Sequence, residues 1–96
     1  MKTREDILRI LASHKKELQS QYKISRMALF GSWSRGDQRS DSDVDILVDI
    51  EPSIGLDFIT LAERMEALLG MKVDLVSSRA IKSRAWDYIS KEMIHV

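Results

Sequence analysis

The segment DVDILVDI at residues 43–50 alternates between apolar and mostly acidic side chains. Because successive side chains of a β-strand point to opposite faces, this period of two predicts a strand. One face would carry four apolar residues, Val44, Ile46, Val48 and Ile50. The other face would carry Asp43, Asp45, Leu47 and Asp49. Since aspartate is depleted in strands, three acids on one face indicate either a solvated face or a site that needs negative charge.

Helices and strands alternate on both sides of this strand. The sequence predicts a helix over residues 4–20, beginning at a capping box of Thr3 and Asp6, and a buried strand over 26–30. Residues 31–42 would form one or two helical turns and a loop. A helix over 56–69, a strand over 72–77 and a helix over 79–93 follow, with a break of the last helix near Ser83 left open. This order predicts an α/β fold (α+β in some schemes), with a small mixed β-sheet of three or more strands flanked by helices.

The connection between the first two predicted strands is short. About a dozen residues, including a helical turn, join them. Because parallel neighbours need a longer crossover, we expect these two strands to run antiparallel. Gly31 and Ser32, at the end of the first strand, would then lie close to Asp43 and Asp45.

Length and composition limit the classes of protein that the chain can represent. The 96 residues are enough for one domain, residues 1–96. Fifteen basic residues balance fifteen acidic ones, whereas a free-standing nucleic-acid binder usually carries a basic excess. The absence of cysteine excludes a disulfide scaffold, a thiolate zinc site and a cysteine nucleophile. No apolar run approaches about 18 residues and the N-terminal residues indicate a charged helix, so we expect a cytoplasmic protein with no membrane partner.

The dipeptide Gly31-Ser32 follows a predicted strand and opens a short helix. Glycine lets the backbone approach a ligand closely, and the free N–H groups at a helix start attract phosphate. The Ser32 hydroxyl adds another donor. Taken alone, however, a Gly-Ser pair after a strand is most often only a turn.

Three aspartates are candidate ligands of a divalent cation. Asp43 and Asp45 lie two residues apart on one strand, so their Cα atoms are roughly 6.5–7 Å apart and their side chains point the same way. Adjacent carboxylates repel each other, and oxygen ligands suit Mg²⁺ or Mn²⁺. Asp74, on the strand 72–77, is a third candidate, although a lone acid there is usually an outward-facing residue. Asp49 lies about 13 Å along the strand from Asp43, too far to share an ion.

The spacing of these residues is more specific than any one of them. Gly31-Ser32, ten intervening residues and Asp43-x-Asp45 lie within LFGSWSRGDQRSDSDVDILV, residues 29–48. This stretch resembles the signature of the DNA polymerase beta-like nucleotidyltransferase superfamily. From its first helix through KVDLVSSRAI at 72–81 to its last helix, the chain resembles the minimal nucleotidyltransferase (MNT) antitoxins of bacteria and archaea, which pair with a HEPN-domain RNase toxin.

The resemblance implies a role for each residue of the motif. Asp43, Asp45 and Asp74 would be the catalytic residues and would hold two Mg²⁺ ions. Gly31, Ser32 and Arg35 would bind the phosphates of the substrate ATP. Arg39 is either a further phosphate contact or a solvated loop residue.

The resemblance also implies a function and a partner. Residues 1–96 would form a single nucleotidyltransferase domain, an antitoxin that transfers AMP from ATP to a tyrosine of its HEPN toxin. Two alternatives stay open: an antitoxin that masks its toxin by binding alone, and nucleotidyl transfer to a small molecule. No direct contact with nucleic acid is expected, and the sequence leaves the oligomeric state open, a homodimer included.

Aromatic residues outside the motif have more than one interpretation. Trp33 could stack on an adenine, anchor its loop or contact a partner. The last helix carries Trp86, Tyr88, Ile89 and Met93, which we expect in the core; an exposed aromatic residue there would instead indicate a partner surface.

Overall fold

A computed structural model describes residues 2–96 of the chain, and a four-stranded sheet is its centre. The strands are β1 (Ile24–Phe30), β2 (Val44–Ile50), β3 (Val73–Ser77) and β4 (Ile94–His95). They lie in the order β3-β2-β1-β4. The predicted antiparallel pairing of β1 with β2 is confirmed, β4 also runs antiparallel to β1, and β2 and β3 are parallel. The expected mixed sheet flanked by helices is therefore the observed architecture.

Five α-helices accompany the sheet within residues 2–96. They are α1 (Arg4–Ser13), α2 (Lys15–Tyr22), α3 (Ser32–Arg35), α4 (Asp57–Leu69) and α5 (Ser83–Glu92). Two 3₁₀ turns, Pro52–Ile54 and Ser78–Ala80, precede α4 and α5. The predicted capping box at the start of α1 is present, because Thr3 accepts from the Asp6 N–H and Asp6 accepts from the Thr3 N–H.

One predicted helix is two helices in the structure. The sequence predicts a single helix over residues 4–20, but the backbone leaves the helical region at His14, with φ −106° and ψ 4°. The His14 N–H turns back to the Leu11 carbonyl, and its Nδ1 lies 2.9 Å from the Ile10 carbonyl oxygen. Leu11 on α1 and Leu18 on α2 are both completely buried in the core.

One face of the sheet is fully covered. Val44, Ile46 and Val48 are completely buried, as the period of two in β2 predicts, and belong to the same core cluster as side chains of α1, α2 and α4. The opposite face carries Asp45 and Asp49, but Leu47 between them is also completely buried. The acids therefore lie at the two ends of a covered surface and not on a uniformly solvated face.

The C-terminal part of the chain departs from the sequence-based expectation. The helix predicted over 79–93 is interrupted near Ser83, the alternative that the sequence left open: a 3₁₀ turn comes first, and α5 begins at Ser83. A two-residue strand that the sequence did not predict, β4, follows α5. No residue of α5 is buried, and the Tyr88 side chain is 73% exposed, so the expectation that this helix contributes its aromatic residues to the core is wrong. Trp86 lies half-buried beneath the Arg26 guanidinium, 5.5 Å from its carbon, and holds the helix by a cation–π contact.

Across residues 2–96, no helix has the length and apolar character that crossing a bilayer requires.

Two isoleucines provide a test of where the core lies. Ile46 in β2 is completely buried, whereas Ile59 in α4 is 57% exposed. We expect Ile46→Ala to lower the free energy of unfolding by about 2–5 kcal/mol, because it removes buried methyl groups and leaves a cavity. Ile59→Ala, the matched control, should change it by less than about 0.5 kcal/mol. Urea unfolding measures both, and equal losses would contradict the assignment of the covered face.

Candidate active site

The pairing of β2 with its neighbours places two aspartates side by side. Asp45 and Asp74 are register partners on the parallel strands β2 and β3, and adjacent strands lie about 4.7–4.9 Å apart. On the other side of β2, Asp45 is the register partner of Phe30, the last residue of β1. Gly31 follows immediately, so the predicted phosphate turn and the two carboxylates meet at one end of the sheet.

Gly31 is in direct contact with Asp45. Its backbone has φ +73° and ψ −153°, a conformation that residues with a Cβ rarely adopt. A Cβ atom at this position would also overlap the Asp45 carboxylate, so a side chain is excluded by both the backbone and the neighbour. The structure therefore explains the glycine of the sequence motif: without a Cβ, the Gly31 backbone can pack directly against the Asp45 carboxylate.

The electrostatic environment of Asp45 is unfavourable for its ionised form. Burial raises its pKa, and so do the negative charges of Asp74 and Asp43 and a hydrogen bond with Asp74, to a value of about 6. The positive charge of Arg35 acts in the opposite direction. A carboxylate under such repulsion is a favourable ligand for a cation, which would relieve the repulsion on binding.

Asp43 lies outside the paired strands that hold the other two acids. It precedes the first residue of β2, is exposed, and acts on Asp45 through its charge. Within residues 2–96, no three His, Cys, Asp or Glu side chains are arranged as a ready-made metal centre. The chain by itself thus assembles a carboxylate pair, Asp45 and Asp74, with Asp43 nearby.

Arg35 lies at the C-terminal end of α3, where other acids hold it. Its Nε is 3.0 Å from Oδ2 of Asp37, and its Nη1 is 3.0 Å from Oε2 of Glu92. The backbone N–H of Gly31 donates to Oε1 of the same Glu92, at 3.2 Å. Two of the three predicted nucleotide-binding residues, Gly31 and Arg35, therefore share one carboxylate partner, and the third, Ser32, lies between them.

Sequence reasoning missed Glu92. It lies 61 positions from Gly31 in the chain, at the end of a helix that the sequence assigns to the core. No spacing or periodicity relates the two residues. The docking of α5 alone brings them together, so the sequence offers no signal from which this contact could be found.

The structure also decides between interpretations of two other residues. Trp33 is 5% exposed and belongs to the core cluster, with its Nε1 3.5 Å from the Ser42 carbonyl oxygen, so it anchors the loop and is not free to stack on a base. Asp49 is paired with Arg26, with Nε and Oδ2 2.7 Å apart. Burial alone would raise the pKa of Asp49, but hydrogen bonds from Ser78 and Arg26 hold it below the usual value.

A large cavity lies away from the carboxylate pair. It has a volume of about 660 Å³ and lies at the opposite end of the sheet, where Asp49, Glu51 and Arg79 are among its lining residues. A smaller recess of about 280 Å³ borders Asp43 and runs along Ser40, Ser42 and Lys72. We place the candidate site at the carboxylate end, because the adjacent acids that could bind a divalent cation are there.

Comparisons with known proteins identify the family of the chain. Residues 11–95 match the family model described as a nucleotidyltransferase domain. The chain therefore belongs to the nucleotidyltransferase domain family.

Particular relatives resemble the chain over its whole length. It is 47% identical to the protein adenylyltransferase MntA of Thermococcus cleftensis, with 100% of this chain and 98% of that one covered. A solved structure assigned as a minimal nucleotidyltransferase is 35% identical, with a TM-score of 0.81 and coverage of 99% and 97%. A crystal structure of a toxin–antitoxin with AMP-PNP is 25% identical, with a TM-score of 0.66, and covers 86% of this chain and 69% of that one.

Two glycines test the contact between Gly31 and Asp45. Gly31 and Gly36 both have a positive φ, but a Cβ on Gly36 would have no neighbour within 4 Å. We expect Gly36→Ala to cost about 1–2 kcal/mol of stability for the backbone conformation alone. Gly31→Ala should cost at least about 1 kcal/mol more, because the Asp45 carboxylate must move. Equal costs in urea unfolding would show that the contact is not a constraint.

The raised pKa of Asp45 gives a pH dependence with a defined sign. In the folded protein the pKa is about 6, above the ordinary 3.8, so the folded state binds this proton more tightly than the unfolded chain does. The resulting stabilisation is complete below about pH 3.8 and is lost as the pH rises through about 6.

We therefore expect Asp45→Asn to unfold at higher urea concentration than the wild type at about pH 7.5, with the difference shrinking toward about pH 4. Asp41→Asn, which removes an exposed carboxylate from the preceding loop, is the matched control and should follow the wild type. If the Asp45→Asn difference did not change with pH, the carboxylate would not be under the repulsion that the structure indicates.

Proposed function

We propose that this protein is an Mg²⁺-dependent protein adenylyltransferase that transfers AMP from ATP to a tyrosine of a HEPN-domain toxin and thereby acts as its antitoxin in the cytoplasm. The observation that carries the proposal is the Asp45–Asp74 pair, held against the Gly31 backbone at one end of the sheet. The full-length similarity to MntA, a protein adenylyltransferase, supports the acceptor class.

The donor set at the carboxylate end fits Mg²⁺. Asp45 and Asp74 supply adjacent oxygen ligands, and Asp43 supplies a third on the exposed side. Burial, together with repulsion from the other two acids, raises the pKa of Asp45. Mg²⁺ is usually bound by one or two carboxylates together with substrate phosphates and water, so a complete cage of protein ligands is not required before the nucleotide arrives. When bound, the metal would neutralise phosphate charge and lower the pKa of the acceptor hydroxyl.

The residues of the chain have separate tasks in the transfer. Gly31 and Ser32 would orient the outer phosphates, and Arg35 would supply positive charge beside them. The acceptor oxygen then forms a bond to the α-phosphorus while the bond to pyrophosphate breaks. Asp74, on the strand next to Asp45, would take the proton that the hydroxyl gives up.

The size and charge of the chain support a protein acceptor. With a formal net charge of zero, it offers no overall basic excess to hold a nucleic acid. Among the described residues, three large apolar side chains are exposed: Leu56 immediately before α4, Ile59 on α4 and Tyr88 on α5. A partner protein could cover them. The similar solved structure of a toxin–antitoxin with AMP-PNP combines a partner and an ATP analogue in one assembly.

Labelling of the toxin tests this function. We expect the wild-type protein, with ATP and Mg²⁺, to add about 329 Da per transferred AMP to a tyrosine of its cognate HEPN toxin, as mass spectrometry would show. Asp45→Asn should reduce the labelling rate at least about 100-fold, and Asp74→Asn should do so while retaining most of the Mg²⁺-ATP affinity, because it acts on the acceptor side. Asp41→Asn is the control and should label normally.

Two results would contradict the proposal. A toxin that is inhibited by the protein but carries no added mass would favour an antitoxin that acts by binding alone. Normal labelling by both Asp45→Asn and Asp74→Asn would show that the carboxylate pair is not the catalytic centre.

A further inference from the structure

Glu92 connects the last helix to the candidate active site. It is the final residue of α5, and its side chain is 22% exposed. Its Oε1 accepts from the Gly31 N–H at 3.2 Å, and both of its oxygens lie within hydrogen-bond distance of Arg35 Nη1, at 3.2 and 3.0 Å. One carboxylate thus binds two of the residues that the sequence motif assigns to the nucleotide.

The bond to Gly31 has a structural requirement behind it. Gly31 is buried, and a buried backbone N–H without a partner is destabilising. The same residue lies against the Asp45 carboxylate in a backbone conformation that only glycine adopts readily. Glu92 therefore fixes the orientation of the peptide group against which Asp45 packs.

The bond to Arg35 has a second effect. Arg35 lies on α3, and its guanidinium is shared between Asp37 and Glu92. The positive charge of Arg35 acts favourably on ionised Asp45. The Arg35 side chain is 47% exposed, and its contacts with Glu92 and Asp37 fix the position of the guanidinium at the carboxylate end.

We propose that Glu92 is a positioning residue of the nucleotide site, which holds the Gly31–Ser32 turn and Arg35 in the arrangement that receives the triphosphate. This inference rests on the proposed function, because it assigns the turn to the phosphates. It adds a residue from outside the sequence motif and makes the docking of α5 a condition for an ordered site.

Two other roles of Glu92 lead to different measurements. A carboxylate that competes with the triphosphate for the same donors would weaken nucleotide binding, so its removal would tighten binding. A carboxylate that only fastens α5 to the sheet would affect stability and leave binding and turnover unchanged. If Glu92 is a positioning residue, its removal should weaken nucleotide binding and slow the transfer of AMP.

The experiment compares three variants at Glu92 with one control in the full-length chain. Glu92→Ala removes both contacts, Glu92→Asp keeps the charge but shortens its reach, and Glu92→Gln keeps an oxygen that can accept from Gly31. Asp87→Asn removes an exposed carboxylate from the same helix and serves as the charge-matched control. Calorimetry measures the affinity for Mg²⁺ with a non-hydrolysable ATP analogue, single-turnover labelling of the toxin measures the rate of transfer, and thermal unfolding confirms that each variant is folded.

If Glu92 is a positioning residue, the variants should lose nucleotide affinity and transfer rate to different extents. We expect Glu92→Ala and Glu92→Asp to bind the analogue about tenfold more weakly and to transfer AMP about tenfold more slowly than the wild type. Glu92→Gln should recover to within about threefold of the wild type, and Asp87→Asn should equal it. Thermal unfolding separates this graded loss from a loss of folding, because only folded variants are compared. Glu92→Asp keeps the test valid if Glu92→Ala is too unstable to measure.

Other outcomes overturn the inference. Tighter binding by Glu92→Ala or Glu92→Gln would identify the carboxylate as a competitor of the phosphates. If Glu92→Asp and Glu92→Ala bound nucleotide and turned over like the wild type but melted at a lower temperature, Glu92 would be only a structural contact. If the wild type itself bound no nucleotide, the proposed function would fail and this inference with it, whereas binding by the wild type together with unchanged variants would refute the inference alone.

Discussion

The contact between the Gly31 backbone and the Asp45 carboxylate is the constraint on which the rest of the site depends. It exists because β1 and β2 are antiparallel and Phe30 is opposite Asp45, so that the residue after β1 must pass directly over the acid. Only a residue without a Cβ can make that passage. The parallel pairing of β2 with β3 then places Asp74 on the other side of the same carboxylate.

The fold supports an unfavourable charge arrangement by burying apolar surface elsewhere. Val44, Ile46 and Val48 of β2 are completely buried beneath α1, α2 and α4, and Leu47 is buried on the opposite face. Asp45, on the same strand, has a pKa of about 6 because burial and the neighbouring acids oppose its ionisation. One strand thus contributes to the core and carries at its end a carboxylate whose ionised form is electrostatically unfavourable. A divalent cation bound together with nucleotide phosphates would relieve this repulsion.

Local sequence patterns were sufficient to predict most of the fold and part of the site. The period of two in residues 43–50 and the short connection from β1 give the antiparallel pair, and the spacing of Gly31, Ser32, Asp43 and Asp45 gives the family that the comparisons show. The break at His14 was not predictable, because apolar spacing continues on both sides of it. β4 has only two residues and shows no alternation, and Glu92 reaches Gly31 through tertiary docking alone. The burial of Trp33 and the exposure of Tyr88 likewise depend on how helices pack, which composition does not encode.

The most direct test of the central claim is to locate a divalent cation in crystals of the protein soaked with Mn²⁺ and a non-hydrolysable ATP analogue. Mn²⁺ takes oxygen ligands like Mg²⁺ and can be located by its anomalous scattering. We expect an anomalous peak within coordination distance of the carboxylates of Asp45 and Asp74, with the outer phosphates of the analogue over Gly31 and Ser32. A peak at the opposite end of the sheet, beside Asp49 and Glu51, or an ordered analogue with no metal at Asp45, would contradict it.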